Sequence, residues 1–273
     1  MKRERASQAE PAEGPAPTSL VDIVFPGDTN HHGTLFGGAG LAFMDRGAFI
    51  AATRHGRVPF VTASCERVEF RKPAHVGEIV AFVATPVLAG KRSLTVEVEM
   101  IAQTIDGTAR TCCTRGVFHM VAVGCERRGP DWRLERLPAS HAPPPADEVR
   151  MVDIVFADQT NGSGKMFGGD ALAFMTKAAF VAAARLSKTP CVLAASERID
   201  FRLPIALGSI VEVIARVCGI GRTSMRIDVE LWSEDLLTGA RNRSAKGVFV
   251  MVAVDRDHRP VKVIPDDDAG SKP

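Results

Sequence analysis

A repeat constrains this chain more than any other property. Val21-Asp22-Ile23-Val24-Phe25 returns as Val152-Asp153-Ile154-Val155-Phe156, Phe36-Gly37-Gly38 as Phe167-Gly168-Gly169, and Leu41-Ala42-Phe43-Met44 as Leu172-Ala173-Phe174-Met175, all at an offset of 131 residues. The same offset carries Gly116-Val117-Phe118 onto Gly247-Val248-Phe249. No gap is needed, so one unit has been duplicated and both copies must share a fold. The length of 273 residues fits two domains of ordinary size. The expected divisions are a tail over 1–18, a first domain over 19–125, a linker over 126–150, a second domain over 151–256 and a tail over 257–273. The first tail is rich in Glu, Ala and Pro, has little to bury, and reads as disordered. The linker carries Pro138 and Pro143-Pro144-Pro145 and reads as extended and semi-rigid. The last tail is charged and reads as loose.

Within one unit the pattern changes period. Residues 19–25 alternate as a strand, which Pro26-Gly27-Asp28 breaks. From Gly38 to about Arg54 the period is helical: Leu41, Met44, Asp45, Ala48, Phe49 and Ala52 share one face, apolar except for Asp45. Gly56 and Pro59 close that helix. Strand patterns follow over 61–71, 79–87, 94–104 and 110–123, with Asp106-Gly107 as a hairpin signal. The second copy has its helix over 169–185. A long helix with an apolar stripe and an antiparallel sheet with one apolar face bury both only if the helix lies across the sheet. The expected class is α+β, a long central helix wrapped by an antiparallel sheet, twice in tandem. Pairing the two sheets edge to edge would cover the helices on their other side.

The net charge of +2 is too small to argue for nucleic acid or an anionic membrane, so a polyanionic ligand must be held by a local basic cluster. None of the six cysteines forms a C-x-x-C pair or recurs between the copies, which argues against a metal site or disulfide framework and for a reducing, cytoplasmic setting. No apolar run approaches the ~18 residues of a membrane span, and the N-terminus lacks the apolar region of a signal peptide.

Two motifs carry a family resemblance. Asp28-x-Asn30-x-x-Gly33-x-x-Phe36-Gly37-Gly38-x-x-Leu41-x-x-Met44-Asp45 is followed by Val61-Thr62-x-Ser64-x-x-x-Val68-x-Phe70-x-x-Pro73-x-x-x-Gly77. Together they resemble the signature of the hotdog-fold acyl-CoA thioesterases, and the duplication is similar to the double-hotdog acyl-CoA hydrolases. The likeness covers about residues 20–124 and 151–255. It implies two tandem hotdog domains and hydrolysis of fatty acyl-CoA to a free fatty acid and coenzyme A. It implies no metal and no cofactor beyond the coenzyme A of substrate and product, and three chains assembling into a ring of six hotdog units.

Thioester hydrolysis needs an activated water or a carboxylate nucleophile, with donors aimed at the carbonyl oxygen. Asp45 is the candidate carboxylate, since an acid on an apolar stripe is costly unless used or paired, and burial would raise its pKa toward a useful base. Gly37-Gly38 and Gly168-Gly169 open their helices, where free N–H groups and the helix dipole favour negative charge; a tight turn would need glycine too. Asp45 lies about 10 Å beyond Gly38 at 1.5 Å per residue, so its carbonyl-polarising amides must come from another helix, and the expected one is the antiparallel helix of the partner repeat, the two halves of the chain completing one site between them. The family's functional Asn and Asp likewise meet across two hotdog units and match Asn161 and Asp45. One composite site therefore joins Asp45 to Asn161, Gly168 and Gly169, with Asp45 as general base or nucleophile. The other joins Asn30, Gly37 and Gly38 to Thr176, which occupies the place of Asp45 and cannot act as a base. Asn30 and Asn161 also suit loop capping. The turns Lys91-Arg92-Ser93 and Arg222-Thr223-Ser224 are basic and placed to meet the phosphates of coenzyme A, as in the family, or are solvated hairpins. Two other readings remain: a non-catalytic acyl-CoA-binding or regulatory protein, suggested by Thr176, and a hotdog enoyl-CoA hydratase, although no histidine recurs between the copies.

Overall fold

The computed structural model describes residues 17–137 and 148–264. The first copy comprises strand β1 (Thr18–Ile23), helix α1 (Gly37–Gly56), and strands β2 (Phe60–Cys65), β3 (Ile79–Ala89), β4 (Ser93–Gln103) and β5 (Arg110–Ala122). The second comprises β6 (Glu148–Ile154), α2 (Gly168–Ser187), β7 (Cys191–Ser196), β8 (Asp200–Phe201), β9 (Ile210–Ile220), β10 (Ser224–Glu234) and β11 (Arg241–Ala253). Each copy forms an antiparallel sheet, in the order β1-β3-β4-β5-β2 and β6-β9-β10-β11-β7, with β8 alongside β11. The helix lies across the sheet in both, which is the hotdog arrangement expected from burial.

Small residues let α1 approach its sheet. Gly40, Gly47, Ala48, Ala51 and Ala52 are buried, and a Cβ on Gly47 would already lie 3.5 Å from Ala84 Cβ. Met44, Phe82 and Met100 fill the space around them. The buried face is turned from the expected stripe toward the glycines: Leu41 is 38% exposed and Asp45 only half-buried. An apolar count treats glycine as neutral, yet here glycine is what seats the helix. The helix ends where Arg57 enters the left-handed region (φ 49) and donates its N–H to the Thr53 carbonyl at 2.8 Å. Lys188 (φ 56) ends α2 in the same way.

The strand expected over 61–71 is shorter. β2 stops at Cys65, and the chain then runs irregularly beside β5, held by Glu66 N–H to the Val117 carbonyl (2.9 Å) and Arg71 N–H to the Cys113 carbonyl (2.9 Å). The chain beyond each last strand also departs from expectation. Leu134, placed in the linker, is buried, and its N–H donates to the Lys91 carbonyl at 3.0 Å. Val263, placed in the loose tail, is 1% exposed and donates in the same manner to Arg222 at 3.0 Å. Trp132 and Leu137 pack on the first core beside Leu134, and Val261 on the second beside Val263, so a few apolar side chains dock each segment. β6 begins at Glu148, inside the expected linker. The linker prolines and the tail before residue 17 lie outside the described residues.

The two sheets do not pair edge to edge within the chain, contrary to expectation. β1 and β6 lie side by side, but each belongs to its own sheet. Side chains make the junction. Val21 of β1 is buried in the second core, and Val152 and Ile154 of β6 in the first. The flanking acids pair with the opposite helix: Arg46 with Asp153 at 3.1 Å, and Lys177 with Asp22 at 2.6 Å. These pairs are equivalent under the repeat, so the junction has an approximate twofold. Burial pushes the Asp153 carboxyl up, against the pull of Arg46. Arg46→Ala is expected to cost about 2 kcal/mol at neutral pH by leaving that carboxylate unpaired. A carboxyl raised in the folded state loses stability as pH rises through the window from its ordinary value near 3.8 to the folded one. The penalty should therefore shrink as urea unfolding is repeated at lower pH, and a pH-independent penalty would rule out the electrostatic cause.

Candidate active site

Asp45 accepts a hydrogen bond from the Thr62 hydroxyl at 2.6 Å. Thr62 lies on β2 with its side chain toward α1 and Met120 Sδ, and the strand bulges just beyond it. In the second copy both members of this pair are gone, replaced by Thr176 and Leu193. The Thr176 hydroxyl turns back to the Leu172 carbonyl of its own helix at 2.8 Å. Cys65, three residues past Thr62, does not replace the acid as a reactive group, because burial and the Asp45 and Glu66 carboxylates push its thiol up.

Asp45 and the second repeat lie on opposite sides of the first. β2 and β1 are the two margins of the first sheet, four strand spacings or roughly 19 Å apart along it. The second repeat docks at the β1 margin, where Arg46 reaches it, while Asp45 turns to the β2 margin. The composite site expected between the two repeats of one chain is therefore not formed: Asp45 makes no hydrogen bond to Asn161, because the side-chain junction holds the second repeat at the margin away from the acid.

The two asparagines cap their loops. Asn30 Oδ1 accepts from His32 N–H at 2.9 Å, and Asn161 Oδ1 accepts from Ser163 N–H (2.9 Å) and Lys165 N–H (3.1 Å). Gly33 (φ 70) and Gly164 (φ 66) close these turns in the left-handed region. Their amide nitrogens differ. Asn30 Nδ2 donates to Thr34 Oγ1 at 3.0 Å. In the second copy Lys165 stands in place of Thr34, and Asn161 Nδ2 has no partner among the described residues. The glycines differ in the same sense. A Cβ on Gly38 would lie 2.5 Å from the Phe36 ring, whereas Gly168 and Gly169 face open space. Neither α1 nor α2 has a side-chain cap, so the first N–H groups of both helices are free to meet a ligand. The acid is thus intact in the first copy, and the unpaired amide and the uncovered glycines are in the second.

Lys91-Arg92-Ser93 closes the β3–β4 hairpin, with Gly90 N–H on the Ser93 carbonyl at 2.8 Å; Arg222-Thr223-Ser224 closes β9–β10 likewise at 2.7 Å. Lys91, Arg92 and Arg222 are exposed and form no ion pair among the described residues. Thr62, Met120 and Leu94 are in register across β2, β5 and β4, so the first turn lies about 10 Å, two strand spacings, from Thr62.

A family model described as the thioesterase superfamily matches residues 32–109 and again 163–240, more than half of the chain. This chain belongs to the thioesterase superfamily. A crystal structure of an acyl-CoA hydrolase from Agrobacterium tumefaciens is 61% identical, covers 90% of this thioesterase and 98% of its own chain, and superposes with a TM-score of 0.83. An uncharacterised acyl-CoA thioester hydrolase of Zymomonas mobilis is 36% identical over 121 residues, 44% of this chain and 81% of its own. The mouse acyl-coenzyme A thioesterase 11 is 24% identical over 94% of this chain, which spans 50% of the mouse protein.

Thr62 is a candidate site residue that the motif contained but the sequence pattern did not single out. Its signal was the loss of Thr62 together with Asp45 in the second copy. Thr62→Val should lower kcat about 10–100-fold with KM little changed, since a hydrogen bond to a charged group is lost. Thr62→Ser should recover most of it. An unchanged kcat in Thr62→Val would remove Thr62 as a positioning residue for the acid.

Proposed function

We propose that this enzyme, an acyl-CoA thioester hydrolase, cleaves fatty acyl-CoA at a composite site in which Asp45 of one chain meets Asn161, Gly168 and Gly169 of another. Asp45, oriented by Thr62, takes a proton from the attacking water, or attacks the carbonyl itself. The Asn161 amide nitrogen positions the water or the thioester, and the Gly168 and Gly169 N–H groups stabilise the oxyanion at a helix N-terminus. The turns at Lys91-Arg92-Ser93 and Arg222-Thr223-Ser224 receive the phosphates of coenzyme A. The companion site of Asn30, Gly37, Gly38 and Thr176 is chemically silent.

The observation that carries this reading is the division of labour between the copies. The first keeps the acid and its hydroxyl partner, and the second keeps the unpaired amide and the uncovered glycines. The margins that would have to meet are bare. Val61 is 48% exposed on β2, and Val192 and Leu193 are 43% and 46% exposed on β7, each beside an unpaired strand edge. Because the junction occupies β1 and β6, these margins point away from each other and need other copies. β2 against β7 of the next chain is a head-to-tail contact, which makes a ring where the rotation between chains closes. Three chains, the number implied by the hotdog resemblance, give six units. The six unpaired cysteines suit a reducing compartment, the cytoplasm.

The test is thiol release from a series of acyl-CoA substrates, acetyl to palmitoyl, by the purified protein. Release rising with chain length supports the fatty acyl assignment. Turnover confined to short or polar acyl groups overturns it.

A further inference from the structure

We propose that the cleft between the two repeats is a binding site for a small phosphate-bearing anion, gripped by Arg110 and Arg185. The cleft has a volume of about 610 Å³, within the range of small-molecule sites. It is lined by six arginines and three glutamates. It lies at the β1 and β6 junction, whereas Asp45 and Thr62 face the opposite margin.

The repeat shows where the surplus charge sits. In one half of the cleft every cation is answered. Arg54 meets Glu234 at 2.8 Å, Arg241 meets Glu212 at 2.5 Å, and Arg150 meets Glu148. Under the repeat offset, Arg54 answers to Arg185 and Arg241 to Arg110, so both cations recur in the other half. The acids do not. Glu212, Glu234 and Glu148 are replaced by Ala81, Gln103 and Pro17. Arg110 and Arg185 have no hydrogen bond or ion pair among the described residues, and both line the cleft with their side chains open to solvent, where an anion can reach them. Partial desolvation against the cleft wall and the neighbouring Arg110 cation hold the Arg185 guanidinium below its usual value.

Two like charges side by side without an acid repel each other, and an anion that joins them removes that repulsion. A guanidinium fork matches phosphate oxygens in paired hydrogen bonds, so two forks on one cleft wall suit a phosphate or pyrophosphate group. That chemistry has two sources here: a free phosphate compound such as a nucleotide, or the phosphates of coenzyme A itself.

Isothermal calorimetry on the full chain tests the site without reference to turnover, so the failure of either proposal leaves the other standing. Pyrophosphate and ADP are titrated into wild type, Arg110→Ala, Arg185→Ala and Ala81→Glu. The last variant installs the acid that the other half already has, and it should pair with the two arginines and hold the fold. Expected is saturable binding to wild type that weakens at least tenfold in each variant. Repeating the titration in saturating coenzyme A separates the sources. Retained ADP binding assigns the cleft to a free phosphate compound, and loss that follows Arg185 assigns it to coenzyme A. No saturable binding to wild type, or equal affinity in folded Ala81→Glu, overturns the proposal.

Discussion

Asp45→Ala should lower kcat/KM by about 10²–10⁴-fold, the range for loss of a positioned general base. Asp45→Asn should lose nearly as much, because an amide keeps the shape but cannot accept the proton. Nothing nearby substitutes for the carboxylate. The Cys65 thiol is pushed away from its ionised form, and the Thr62 hydroxyl is committed to Asp45 itself. The loss should fall in kcat with KM little changed, since in the proposed site the acid meets the reacting atoms and not the bulk of the coenzyme. Asp45 is half-buried at a bare margin, so folding should be nearly unaffected, which denaturant unfolding of the variant checks. Thr176→Ala is the matched control. Its hydroxyl serves only the Leu172 carbonyl, and activity should change less than about twofold. If Asp45→Ala keeps more than about a tenth of wild-type kcat/KM, the base lies elsewhere.

The parts of the molecule that pattern could reach were those fixed by local chemistry. The repeat gave the duplicated unit, the helical period gave α1 and α2 within two residues, and alternation gave the long strands β3, β4 and β5. Burial logic was enough to lay a helix across a sheet. What failed depended on distant packing. The exposure of Asp45 follows from which face of α1 the glycines turn toward Leu20 and Ala84, and no count of apolar residues contains that. The docking of Leu134 and Val263 rests on a few scattered apolar side chains, with backbone bonds to the turns carrying Lys91 and Arg222, and these have no period to read. The relation of the two halves was the larger surprise. Edge pairing through the chain's own repeats is the economical guess, but Asp22, Asp153, Arg46 and Lys177 commit β1 and β6 to a side-chain junction. Those four residues recur as a matched set at the repeat offset, so the sign of that junction was present in the sequence without a geometry to attach it to. At the candidate site, Asp45, Asn161 and the glycine pair were legible as residue types. Their openness was not, because it depends on Thr34 covering one asparagine and Phe36 covering one glycine.

Mixing two inactive variants should restore activity. If each site takes Asp45 from one chain and Asn161 from the next, Asp45→Ala and Asn161→Ala assembled at random in equal amounts leave about one site in four intact in a closed head-to-tail ring. Activity should then rise from a residual at least about 10²-fold below wild type to roughly a quarter of it. A site built within one chain gives no such recovery, because every site would carry one lesion or the other. The experiment also distinguishes the remaining way to cover the bare margins. If β2 met β2 of another copy, Asp45 would face Asn30, and Asn161→Ala alone would stay active while Asn30→Ala would not. Under the head-to-tail arrangement Asn30→Ala stays active, since its loop faces Thr176. Co-expression with two affinity tags isolates mixed assemblies, and thiol release reads the outcome directly. Leu193→Lys adds an independent check. A charge at the centre of the β7 margin should break the ring into smaller species on sizing and lower activity with it, although within its own chain Leu193 touches neither the acid nor its hydroxyl partner. Full activity in a Leu193→Lys variant that runs as a single chain would place the whole site within one molecule.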